Sequence, residues 1–142
     1  MKKTFFLMLC VSGLFATLPT QTIEEKIRAQ NVEVLKMAVS SIRPQLPQRV
    51  DDYTQIVGIE AEGEHLIYTF EVDTDKSGKA VTEESKRRMQ KRIREGICHS
   101  SKRFLQSGIT ISYLYQNAAT HQEFFKVTVA KKDCALDFQK VF

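Results

Sequence analysis

The chain has 142 residues and a formal net charge of +4, with 21 Lys and Arg against 17 Asp and Glu. A hydrophobic share of 42% and a charged share of 27% are those of a globular domain, which excludes a disordered tail and a multi-span membrane protein. Three cysteines are too few for a disulfide-dense scaffold.

Lys2 and Lys3 precede an apolar run from Phe5 to Leu18, which is too short to span a bilayer comfortably and has the length of a signal-peptide core. Residues 1–20 are expected to be an export signal, and residues 21–142 a single α+β domain. Cys10 follows Leu7, Met8 and Leu9, whereas a lipobox needs a small residue immediately before its cysteine. Lipid anchoring is therefore not expected, and membrane contact would be at most peripheral. Without Lys2 and Lys3 the count is 19 basic against 17 acidic, a net charge of +2, so charge gives no argument for nucleic acid.

The remaining cysteines, Cys98 and Cys134, would meet an oxidising compartment and are expected to pair in the periplasm or outside the cell. Two free thiols or an intermolecular bond are the alternatives.

Residues 23–43 read as a helix, with Val32, Leu35, Val39 and Ile42 at three- and four-residue intervals and Pro44 and Pro47 ending it. Tyr53 to Ile59 is a first strand with Gly58 as a candidate bulge, and Ala61 to Glu64 a turn. Leu66, Tyr68, Phe70 and Val72 alternate as a second strand, antiparallel to the first. A second helix starts near Thr82, carries Met89, Ile93 and Ile97 on one line, meets a candidate break at Gly96 and ends at Ser107-Gly108. Ile109, Ile111, Tyr113 and Tyr115 define a third strand, Asn117 to His121 a turn, and Phe125, Val127 and Val129 a fourth strand. Leu136, Phe138 and Val141 give the tail the makings of a short packed element. The expected fold is helix, two strands, helix, two strands: a four-stranded antiparallel sheet with both helices on one face and one disulfide.

The segment from Asp73 to Glu84 matches a calcium loop, with Asp73, Asp75, Ser77, the Lys79 carbonyl and Glu84 as oxygen ligands and Gly78 at the sharp turn. The competing reading is a strand-to-helix turn in which Asp and Ser make local hydrogen bonds and Thr82 caps the next helix. No other cofactor is indicated. Arg87, Arg88, Lys91, Arg92 and Arg94 make a basic helix face, suited to an acidic protein or a membrane surface; it lacks the interleaved aromatics that nucleic-acid binding would need. His65, His99 and His121 fall in a turn, a helix and a turn, without metal-ligand spacing. No nucleophile elbow, zincin helix or phosphate-binding glycine loop is present, so the sequence does not read as an enzyme.

Gly96-Ile97-Cys98, the stretch from Leu105 to Tyr113, Phe125-Lys126-Val127 and Asp133-Cys134 together resemble the C-terminal half of small type II secretion pilotins of the AspS type. Ile42 to Pro47, followed by Tyr53-Thr54 and a hairpin, extends the resemblance over roughly residues 32–134. The resemblance implies an envelope accessory that docks a helix from the C-terminus of the outer-membrane secretin subunit. It departs from those lipoproteins in lacking a lipobox. A periplasmic inhibitor or immunity protein is the alternative for the same small, stiffened, exported domain.

Overall fold

A computed structural model describes residues 21–78 and 80–134. Within them α1 spans Ile23–Ile42, and a short 3-10 turn covers Arg43–Gln45. β1 is Gln48–Arg49, β2 Thr54–Glu62 and β3 His65–Val72. Three helices follow, α2 at Thr74–Ser77, α3 at Glu83–Ser100 and α4 at Lys102–Gln106. β4 is Thr110–Asn117, β5 is Glu123–Val129, and a 3-10 turn ends the described chain at Lys131–Cys134. The expected export signal and the apolar tail from Ala135 to Phe142 lie outside the described residues.

Local chemistry explains the ends of these elements. Thr22 caps α1 in a reciprocal box: its hydroxyl accepts from the Glu25 N–H, and the Glu25 carboxylate accepts from the Thr22 N–H. Pro44 stops the same helix because a proline has no N–H to continue the ladder. Thr82 caps α3, accepting from the Ser85 N–H. Gly96 does not break α3, which runs through it to Ser100; the chain bends at Ser101 instead. His65, expected in a turn, is the first residue of β3.

The sheet is five-stranded and mixed, in the order β1-β2-β3-β4-β5, not four-stranded and antiparallel. β1, with only two residues, is too short to leave a periodic signal. The larger correction is the central pair: β3 and β4 run parallel, His65 opposite Thr110 through Val72 opposite Asn117. Alternation along a strand reports its faces but not its direction. The connection from Asp73 to Ile109 carries the whole of α3, and a long helical crossover returns the chain to the same end of the sheet. The expected β2–β3 hairpin and β4–β5 pairing are both present and antiparallel.

Register sorts the side chains into rows. One face carries Ala61, Leu66, Ile111 and Val129, then Ile59, Tyr68, Tyr113 and Val127, then Ile56, Phe70, Tyr115 and Phe125. These rows join Leu35 and Val39 of α1, Ile97 and Cys98 of α3 and Leu105 of α4 in a single core. The other face carries polar rows, among them Glu60, Ile67, Ser112 and Thr128. The β2 register shifts between Ile56 and Gly58. A Cβ at Gly58 would stand 3.2 Å from the Thr69 Cβ, so a side chain there would require Thr69 to give way by a few tenths of an ångström.

Candidate partner-binding surface

The sheet's apolar face sets the site. α1 packs against β2 and α3 against β5, so the aromatic side chains of the central strands emerge between the two helices. Phe70 and Tyr115 stack with centroids 4.6 Å apart and planes within 5°, and Tyr115 stacks on Phe125 at 5.0 Å. Tyr113 meets Phe70 at 4.8 Å and the edge of Tyr68 at 5.4 Å. Phe70 and Tyr115 are buried, while Tyr68 and Tyr113 are half-buried and keep one end toward solvent. Burial pushes all three phenols up, Tyr115 furthest, to about 12, with Tyr113 and Asp51 adding to the effect.

α3 supplies one wall. Ile93 is half-buried against the core and Met89, one turn earlier, is 37% exposed. Ser85, Arg88, Met89 and Arg92 line a shallow depression beside it. The predicted basic face therefore includes one exposed apolar side chain, Met89, flanked by Arg88 and Arg92. Arg87 donates to the Glu83 carbonyl at 3.4 Å, and Arg88 lies 3.8 Å from Glu84. Lys91, Arg92 and Arg94 are exposed and have no ion-pair partner among the described residues.

Cys98 of α3 and Cys134 form a disulfide, with Cα atoms 5.5 Å apart. It fastens the C-terminal turn to α3, and both residues are buried. Midway along α1, Asn31 donates to the Glu64 carboxylate and to the Ser107 carbonyl, each at 2.8 Å. Arg28 adds an ion pair to Glu64 at 3.3 Å. Asn31 precedes Leu35 and Val39 on the inward line of α1, a position where a polar residue signals a buried partner.

The loop read as a calcium site folds as a turn of helix. Asp73 caps α2, its Oδ1 accepting from the Lys76 N–H at 3.0 Å and its Oδ2 pairing with Lys76 Nζ at 3.3 Å. These hydrogen bonds, led by the backbone one, hold its carboxyl below the usual range. Ser77 donates to the Thr74 carbonyl, and Gly78 ends the turn at φ 60°. Asp75 lies in the first turn of α2, and Glu84 in that of α3 facing Arg88. Among the described residues no three His, Cys, Asp or Glu side chains converge; Lys79 lies outside them.

The polar face holds a hydrogen-bonded chain in which His65 Nε2 meets Ser112 Oγ, and Ser112 Oγ meets Thr128 Oγ1, each at 2.7 Å. Ser112 is fully buried, so its hydroxyl ties three strands and is not presented to a substrate. Burial and, less strongly, Lys126 lower the His65 pKa against an opposing effect of Glu62. No described helix is long and apolar enough to cross a membrane.

The described residues thus form an α+β fold with a five-stranded mixed sheet, two main helices and the Cys98–Cys134 disulfide. No protein-family model and no curated protein matches the sequence, and the likeness to known proteins rests on structure. The chain is similar to the pilotin EpsS of the Vibrio vulnificus type 2 secretion system, at a TM-score of 0.66 and 13% identity, over 77% of this chain and 96% of that one. It is similar to the pilotin AspS of the Vibrio cholerae type II system, at 0.61 and 17%, with the same coverage. A Pseudomonas aeruginosa protein assigned as secreted superposes at 0.65 and 13% identity, over 81% of this chain and 99% of that one.

Proposed function

We propose that this chain is an exported, periplasmic, non-enzymatic accessory of the pilotin kind, which grips an amphipathic helix of an envelope partner. The observation that carries the reading is the apolar strip of half-buried Tyr68 and Tyr113 on the sheet face that also bears α1 and α3, with Met89 exposed on α3, on a fold shared with two pilotins. A helix laid in an apolar groove is a standard mode of peptide recognition, with anchors repeating along one side of the helix. The C-terminal segment of a secretin subunit is the partner the resemblance implies. Residues 1–20 act as the export signal and Lys2 and Lys3 as its positive end.

The experiment is binding of a synthetic secretin C-terminal helix to the disulfide-bonded protein, followed by fluorescence anisotropy. Met89→Glu should weaken binding by about tenfold or more, since a charge would be placed in a desolvated contact. Arg94→Ala, away from the strip, should change it less than about twofold. No saturable binding, or equal loss in both variants, would sink the reading.

The unpartnered Lys91, Arg92 and Arg94 favour a second reading, an inhibitor or immunity protein that meets an acidic enzyme through α3. Affinity capture from the native envelope separates the two, since one expects secretion machinery and the other a single soluble enzyme.

A further inference from the structure

The outer edge of β2 is only partly covered among the described residues. β1 pairs with Gln55 and Ile56; beyond the bulge, β2 continues to Glu62 with no strand on that side. The direction of its backbone groups follows from two hydrogen bonds. The Thr54 carbonyl faces β1, accepting from the Val50 and Asp51 N–H groups. The Ile59 carbonyl faces the same outer side, where the Arg43 guanidinium reaches it at 3.2 Å. By alternation, Ile59 and Ala61 turn their N–H and C=O groups outward, and Glu60 and Glu62 turn theirs toward β3. A cleft of about 730 Å³ runs beside this edge, bounded by Arg43, Leu46, Pro47, Val57 and Ile59.

The side chains along the edge specify an occupant. Glu60 and Glu62 are exposed on the polar face of the sheet, and neither is ion-paired to a Lys or Arg among the described residues. A second copy of the chain, added edge to edge with Glu60 at its centre or at Ala61, would set these carboxylates against one another. Like charges directly opposite across a strand pair are destabilising. An incoming strand with Lys or Arg at alternate positions would instead meet both. Its intervening side chains would fall beside Ile59, Ala61 and Leu46 and would need to be small or apolar.

We propose that the β2 edge from Ile59 to Glu62 accepts an extended peptide of another protein, with cationic residues at alternate positions, as an added strand beside β1. Main-chain hydrogen bonds supply the attachment and the glutamates the selectivity. Arg43 holds the Ile59 carbonyl in the free protein and yields it to an N–H of the peptide. This surface is distinct from the strip between the helices, so it stands or falls independently of the pilotin reading.

The test uses the disulfide-bonded protein, isotope-labelled, and two short synthetic peptides that alternate Thr with Lys or Thr with Glu. The Lys peptide should slow amide exchange at Ile59 and Ala61 by about tenfold or more at saturation. Glu60→Lys with Glu62→Lys should weaken that peptide by about fivefold or more, and Arg43→Ala should leave binding intact or tighter. Unchanged exchange at Ile59 and Ala61, equal binding of the Glu peptide, or self-association through this edge without peptide would each overturn the proposal.

Discussion

Asn31 of α1 donates its amide to Glu64 at 2.8 Å across 33 residues of sequence, and the same nitrogen reaches the Ser107 carbonyl at the end of α4. One buried side chain thus fixes a helix, a hairpin turn and the entry to β4 in a common frame. Asn31→Leu would leave the Ser107 carbonyl and the Glu64 carboxylate short of a donor. Because Ser107 is exposed and Glu64 half-buried and still paired with Arg28, the loss should be about 1 kcal/mol, that of an ordinary hydrogen bond. Glu64→Gln keeps an acceptor oxygen and should cost less. Urea denaturation of both variants checks this, and equal midpoints for wild type and Asn31→Leu would show that the clamp contributes nothing.

The Cys98–Cys134 bond closes a loop with a sequence separation of 36. On the loop-entropy description, its removal should cost about 4 kcal/mol. Denaturation of the oxidised protein and of the Cys98→Ser, Cys134→Ser double variant should differ by that order. Coincident curves would mean that the C-terminal turn is held by packing alone.

Tyr115 gives an alkaline limit. Its phenol is held protonated up to about 12 in the folded chain, against 10.0 for the free group. The unfolded chain therefore releases this proton first, and stability present below pH 10 falls as pH rises toward 12. Tyr68 and Tyr113 contribute in the same direction. Tyr115→Phe should flatten the decline without abolishing it, as read from denaturation midpoints between pH 9 and about 12. An unaltered slope would show that burial of this phenol is not what shifts it.

His65 acts at the other end of the scale. Its folded pKa lies below the ordinary 6.5, so below that value the unfolded chain binds the extra proton more readily. Stability is expected to be full above pH 6.5, to decline as pH falls through the folded value, and then to level off with respect to this group. His65→Gln keeps a partner for Ser112 while removing the titration, so its midpoint should vary less between pH 7.5 and about 5. The same dependence in both proteins would assign the effect to other groups.

Calcium should leave the melting temperature unchanged relative to a chelator, because Asp73 is engaged by Lys76 and lies in no acidic cluster among the described residues. A calcium-dependent rise, lost in Glu84→Gln, would assign the segment from Asp73 to Glu84 as a metal loop.

Much of the fold is legible from residue pattern, because each element buries one face. Val39 and Leu35 mark α1 by helical spacing, and Leu66 and Phe70 mark β3 by alternation. Thr22, Pro44 and Thr82 signal helix ends through chemistry confined to a few neighbours. The parallel course of β4 is not legible in this way, since Ile111 would point to the same face if the strand ran the other way. Nor is the candidate surface. Tyr68 and Tyr113 read as ordinary alternating strand residues, and only their register across two strands brings them together. Arg88 and Arg92 read as a charged face, and their place beside the exposed Met89 follows from helical spacing alone, whereas the burial of Ile93 one turn on depends on how α3 lies on the sheet.

Because the spatial order of the strands follows their order along the chain, no strand is threaded between two earlier ones. For a polypeptide delivered N-terminus first, the sheet can grow by accretion at a single edge, each new strand finding its neighbour already present. The parallel step is the slow one, since β4 must wait for α3 to be paid out and folded back, and non-local pairing is costly before it is rewarded. Cys134 follows every described strand, so the covalent bond to Cys98 can close only after the last described strand has emerged.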